Sequence, residues 1–213
     1  MSTEGAWGLK YEDVVGLCWL AYKGNNPVKG ANYSFPNAGT NWTILDIYKQ
    51  GGFHAILAQG SEGNKRVLSF SGTDDLSDWI DNASQQLSGI SAQYIRAGAL
   101  GGSVPCDVIV GHSLGGGLAS YAHLVCGRPV ATINAAPLSW NNILAGRIVN
   151  RNFRAFPITN YVVRWEMLDM FDLISGITSN KIGRIVNVGS NGGNPLARHL
   201  LPNLTGFVAP VRT

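Results

Sequence analysis

Residues 107–120 read DVIVGHSLGGGLAS, and one serine stands out among them. Gly111-His112-Ser113-Leu114-Gly115 fits the G-x-S-x-G pattern of a nucleophile elbow. The β-branched run Val108-Ile109-Val110 predicts a buried strand before it, and Leu114 to Cys126 predicts a helix after it. Such a turn forces the serine into a strained backbone conformation. Side chains at Gly111 and Gly115 would collide with the flanking strand and helix. The hydroxyl would face outward at a helix N-terminus, where the dipole favours developing negative charge. The plain alternative is a glycine-rich strand-to-helix turn without chemistry.

A serine hydroxyl attacks only when a base takes its proton, and histidine is the usual base. The chain has four. His54 falls inside a strand pattern and reads as structural. His112 neighbours the serine and points away from it, which suits a residue that shapes the site. His123 lies deep in the following helix, far from its start. His199, in NPLARHLLPNL, follows the last predicted strand and can fold over the carboxyl edge of a sheet, so it is the candidate base.

The base needs a carboxylate to hold its tautomer. The chain order serine, acid, histidine places that acid between 113 and 199. Only Glu166, Asp169 and Asp172 lie there, all in VVRWEMLDMFDLIS. Glu166 stands at the strand's end, where such an acid belongs. Asp169 is the commoner residue type. The local pattern does not rank them.

A tetrahedral oxyanion needs donors. The N–H of Leu114, just after the serine, supplies one. The second is expected from Thr73, after the strand in VLSFSGTDDLSDWIDN. A plain helix N-cap explains the same residues, and both roles are compatible. The spacing of Asp74, Asp75, Asp78 and Asp81 fits no calcium loop, so no metal site is expected.

Behind these residues stand the elements that must position them. Tyr11 to Tyr22 carries a helical apolar stripe. Residues 23–41 read as loop. WTILDIYKQ, FHAILAQG and KRVLSFSG read as strands joined in antiparallel hairpins. A helical stretch follows from Leu76 to about Ala97. Strands at 106–111, 129–134, 156–165 and 182–188 then alternate with helices at 114–126 and 140–150, before a short helix near 195–204. That alternation predicts an α/β fold: a mostly parallel central sheet, antiparallel N-terminal strands and helices on both faces. Active sites in such sheets lie at the carboxyl ends of the strands.

The length of 213 residues suits a single domain over 1–213, and 45% hydrophobic content suits a substantial core. A net charge of +3 is too small to argue for nucleic acid. No stretch approaches a membrane span. The acidic N-terminus does not read as a Sec signal, so the expectation is a cytoplasmic protein or one exported without a cleaved signal. Cys18, Cys106 and Cys126 are odd in number and read as free thiols.

Taken with GHSLGGGLAS, the segments VLSFSGTDDLSDWIDN, INAAPL and RHLL resemble the class 3 lipases of the α/β-hydrolase fold over about residues 10–205. The resemblance is closest to small bacterial and phage-associated members, whose Tyr-Val-Val-basic-X-acid stretch is similar to YVVRWE and favours Glu166. The family's arginine before Gly-Thr is Ser71 in this sequence, and no proline follows the candidate acids. In relatives a lid lies between the segments of Thr73 and Ser113, and this interval is short. The stripe Leu76, Trp79, Ile80, Ala83, Leu87 suits either a lid or a helix packed on the core. Arg147, Arg151 and Arg154 share a helical face that suits solvent or anionic headgroups.

The resemblance implies a serine ester hydrolase (lipase, phospholipase or carboxylesterase) that works through an acyl-enzyme and needs no cofactor. The expected partner is a lipid or small ester, with a transient lipid interface and no nucleic acid. Alternatives are a thioesterase or acyltransferase on the same residues, or a silent hydrolase-like binding protein.

Overall fold

The computed structural model describes residues 3, 5–73, 92–150, 157–168 and 182–213. Helix α1 (Tyr11–Ala21) precedes four strands, β1 (Asn32–Phe35), β2 (Thr40–Gln50), β3 (Phe53–Gly60) and β4 (Arg66–Phe70). Then come α2 (Ala92–Ser103), β5 (Val108–His112), α3 (Leu114–Cys126), β6 (Val130–Ile133), α4 (Trp140–Val149), β7 (Ile158–Val163), β8 (Arg184–Val188), α5 (Pro195–His199) and β9 (Val211–Arg212). Among the described residues the strands form one sheet, in the order β8-β7-β6-β5-β4-β3-β2-β1-β9. Strands β4 to β8 pair in parallel, and β1 to β4 pair antiparallel. This is the α/β architecture expected from the alternation of strand and helix signals.

Helices cover both faces because the strands alternate. Val108 and Val110 of β5 join the cluster containing Leu17 and Leu20 of α1. Ile109, between them, joins the cluster of Leu118 and Leu124 of α3 and Ile143 of α4. Successive strand residues point to opposite faces, so one strand feeds two cores.

Three departures from the sequence reading have physical causes. Strand β1 lies inside the expected loop at 23–41. Its Tyr33 and Phe35 are buried and it pairs with β2, but flanking Gly, Asn and Pro hide so short an alternation. Strand β9 has two residues and exists only by pairing with β1. Helix α2 continues past Ala97 through glycines that local propensity disfavours. A Cβ on Gly101 would lie 2.9 Å from Ala122 Cβ, and one on Gly98 3.0 Å from Tyr121. The glycines let α2 approach α3 closely, and that packing outweighs their propensity cost. The suggested stripe at Leu76–Leu87, the aspartates at 74–81, Arg151 and Arg154 lie outside the described residues. Arg147 is exposed on α4, and the three cysteines are free.

Candidate active site

Ser113 sits between β5 and α3 with φ 58° and ψ −128°. This left-handed backbone is costly for a residue with a side chain and persists only where neighbours enforce it. Three glycines remove the obstacles. A Cβ on Gly111 would lie 2.1 Å from the Gly115 carbonyl oxygen, and one on Gly115 2.3 Å from that of Phe70. One on Gly116 would lie 2.6 Å from Ala135 Cβ. Backbone hydrogen bonds then lock the turn. The Ser113 N–H donates to Ile133 at 3.1 Å, and its carbonyl accepts from Gly116 and Ala136 at 2.9 Å each.

Helix α5 brings His199 to the same edge. It opens with Asn194, whose side-chain oxygen accepts from the Ala197 N–H at 2.8 Å, and Pro195 occupies its first turn. His199 is fully buried. Its Nδ1 lies 2.5 Å from Oε2 of Glu166, also fully buried. That oxygen accepts a second bond, from the Leu168 N–H at 3.0 Å. A carboxylate oxygen can only accept, so Nδ1 of His199 donates this bond, and in the neutral ring Nε2 is the acceptor. Among the described residues neither His199 Nε2 nor Ser113 Oγ has a hydrogen-bond partner.

Ser113, His199, His112 and Thr73 line one cavity of about 270 Å³, together with Trp19, Tyr22 and Leu200. Thr73 follows the end of β4. Here the chain passes so close to the elbow that a Cβ on Gly72 would lie 3.0 Å from the His112 carbonyl oxygen and 3.2 Å from Ser113 Cβ. Ser71, where the resembling family has arginine, turns its hydroxyl to the Gly72 carbonyl at 3.0 Å. Leu114 is the first residue of α3 and is buried. Asp169 and Asp172 lie outside the described residues.

The other histidines have structural settings. His54 is buried with Nδ1 against the Ala21 carbonyl. His123 closes α3 with Nδ1 on the Arg128 carbonyl at 2.6 Å. His112 supports the site directly: its Nε2 meets the His199 carbonyl at 2.8 Å and its Nδ1 the Tyr22 hydroxyl at 2.6 Å. Sequence reasoning did not single out Tyr22 or Asn134. The Asn134 amide donates to the His199 carbonyl at 3.2 Å and accepts from the Val163 N–H at 2.9 Å. It ties β6, β7 and α5 together. Its sequence signals are its place directly after a strand and within the segment INAAPL.

The Tle-like phospholipase domain, a phospholipase-like family, matches residues 36–202. The chain belongs to this family. Its match spans the elbow, Glu166 and His199. A curated relative, the extracellular phospholipase A1 of Serratia liquefaciens, is 31% identical over 140 residues, which are 62% of this chain and 44% of that protein. The chain therefore spans less than half the length of that relative. Among solved structures, a triacylglycerol lipase from Penicillium expansum aligns with a TM-score of 0.53 and 16% identity, covering 93% of this chain and 80% of its own. The Rhizomucor miehei lipase in its propeptide complex aligns at 0.57 and 12%, covering 87% and 76%. At such identities the likeness shows the fold: a lipase fold of the α/β-hydrolase kind, shared by this phospholipase-like family and fungal lipases. Membership of the family supports ester-hydrolase activity in general.

Proposed function

We propose that the chain is a serine esterase that cleaves a carboxylic ester of a phospholipid. The observation that carries this reading is His199, buried, with Nδ1 on Glu166 and Nε2 unoccupied in the cavity that Ser113 also lines. In this reading His199 Nε2 takes the proton of Ser113 Oγ as that oxygen attacks the ester carbonyl. The N–H groups of Leu114 and Thr73 hold the oxyanion. Collapse expels the alcohol with the proton from His199. A water, deprotonated by His199 in turn, then releases the fatty acid from Ser113. Glu166 keeps the imidazole in the right tautomer and stabilises its charged form.

Phospholipid is preferred over triglyceride because the matching family is phospholipase-like and the relative is named a phospholipase A1. That relative is named extracellular, which supports export. The finer likeness to class 3 lipases and their small bacterial and phage-associated members rests on the quoted motifs.

The test is hydrolysis of p-nitrophenyl butyrate and of phospholipid in micelles by variants of five positions. Ser113→Ala and His199→Ala are expected to lose roughly 10³-fold or more, and Glu166→Gln roughly 10²- to 10⁴-fold. Asp169→Asn is expected to stay within a few-fold of wild type. Tyr22→Phe removes only the hydroxyl that meets His112 and is expected to lower kcat while sparing KM. Full activity in Ser113→Ala, together with no labelling of wild type by a fluorophosphonate, would overturn the reading. Loss in Asp169→Asn with activity kept in Glu166→Gln would move the acid to Asp169.

A further inference from the structure

Exposed apolar side chains flank the cavity in sequence and in space. Trp165 directly precedes Glu166 and is 57% exposed. Leu200 directly follows His199, lines the cavity and is 40% exposed. Leu196 lies one helical turn before Leu200 and is 46% exposed. All three belong to the carboxyl edge of the parallel strands: Trp165 follows β7, and α5 is tied by the His199 carbonyl to His112 and Asn134, at the ends of β5 and β6. Trp165 has φ 60°, so a tight turn after β7 carries it.

Basic residues alternate with these apolar ones. Arg164 is exposed beside Trp165, Arg198 is half-buried beside His199, and Lys23 is exposed between the cavity-lining Tyr22 and Gly24. The described carboxylates lie elsewhere. Glu62 and Asp107 precede β4 and β5, at the opposite edge. Glu12 is at the far end of α1, Asp13 is buried, and Asp46 pairs with Lys29 on β2. Glu166 is buried against His199. A tryptophan and leucines set among cations, with the other described carboxylates elsewhere, match the water–lipid boundary of an anionic bilayer: the aromatic ring suits the headgroup level and the cations the surface potential.

From this we infer that the carboxyl-edge rim of Trp165, Leu196 and Leu200, with Lys23, Arg164 and Arg198, is a docking surface for an anionic phospholipid bilayer. Docking sets the mouth of the cavity on the lipid, so an ester reaches Ser113 from the membrane plane. The inference rests on the phospholipid reading but is tested without turnover.

Ser113→Ala protein, which leaves vesicles intact, is sedimented with phosphatidylcholine vesicles and with vesicles of phosphatidylcholine and phosphatidylglycerol. Binding is expected to be tighter to the anionic vesicles and to weaken with salt. Arg164→Glu is expected to weaken it roughly tenfold, and Trp165→Ser with Leu196→Ser about as much. The same substitutions in the Ser113 protein are to be read against p-nitrophenyl butyrate, whose rate should change far less than vesicle hydrolysis. Binding that is equal in all variants would overturn the inference, as would protein that stays in the supernatant with both vesicle types. Vesicle binding with the expected variant pattern but no ester hydrolysis by the Ser113 protein would support the docking surface and count against the esterase reading alone.

Discussion

His112 is enclosed and its two ring nitrogens have different work. A carbonyl can only accept, so Nε2 carries the proton to the His199 carbonyl, while Nδ1 meets the Tyr22 hydroxyl. Burial favours the neutral ring, in which Nδ1 is the acceptor of the Tyr22 hydroxyl. Burial first, and the nearby His199 second, pull its pKa from 6.5 down to about 3. The unfolded chain binds this proton near pH 6.5 and the folded chain only near pH 3. Between those values the unfolded state holds more protons, so stability falls as pH falls. Each full proton of difference is worth roughly 1.4 kcal/mol per pH unit. The thermal midpoint of the wild type should drop from pH 7 to 4.5 more steeply than that of His112→Asn, which has no ring to titrate. Parallel slopes in the two proteins would refute this account of the ring.

At the scale of elements, the elbow depends on contacts that two neighbouring strands make with a third segment. Gly115 faces the Phe70 carbonyl at the end of β4, and Gly116 faces Ala135 after β6. The turn is thus built from three strand ends at once, and each glycine answers a different one. Gly115→Ala must move backbone, not a flexible side chain, so it should cost roughly 2–3 kcal/mol and displace Ser113. Gly102→Ala is the control, because a Cβ there meets nothing within 4 Å and the helix gains propensity. Chemical denaturation of the two variants compares them directly; equal stability would show that the elbow yields more easily than its contacts imply.

For the whole molecule, the sheet separates two apolar clusters. Leu17 of α1 is fully buried in one and Leu118 of α3 is 1% exposed in the other. Truncating either to alanine removes buried methyl groups and leaves a cavity, at a cost of about 2–5 kcal/mol. Because the sheet lies between them, their effects in a double variant should add to within about 0.5 kcal/mol. A larger deviation in urea unfolding would mean that the two layers adjust to one another through the strands. Asp13 anchors the α1 layer: buried, it accepts from the Trp42 indole at 3.0 Å, the Lys10 N–H at 3.0 Å and the Thr40 hydroxyl. With that end of α1 fixed to β2, Tyr22 just past its other end is held where it meets His112.

The elbow, the alternation of strand and helix, and the candidate histidine were legible because each leaves a local record. Glycine spacing reports backbone sterics, β-branched runs report buried strands, and four histidines are few enough to sort by position. The α3 helix agrees at both ends, Leu114 and Cys126, because the elbow begins it and Gly127 in a left-handed conformation ends it. Which carboxylate would meet His199 was not legible, since Glu166 and Asp169 share the same surroundings in sequence. What draws Glu166 to His199 is a turn after β7 and the fold of α5 over the strand ends, contacts between residues far apart in the chain. Tyr22 and Asn134 escaped for the same reason: a hydroxyl and an amide carry no periodicity. Local chemistry thus determined which residue types could react and which elements carry them. Only the tertiary structure decided which partners meet, because hydrogen bonds across the sheet edge depend on distances that no single segment encodes.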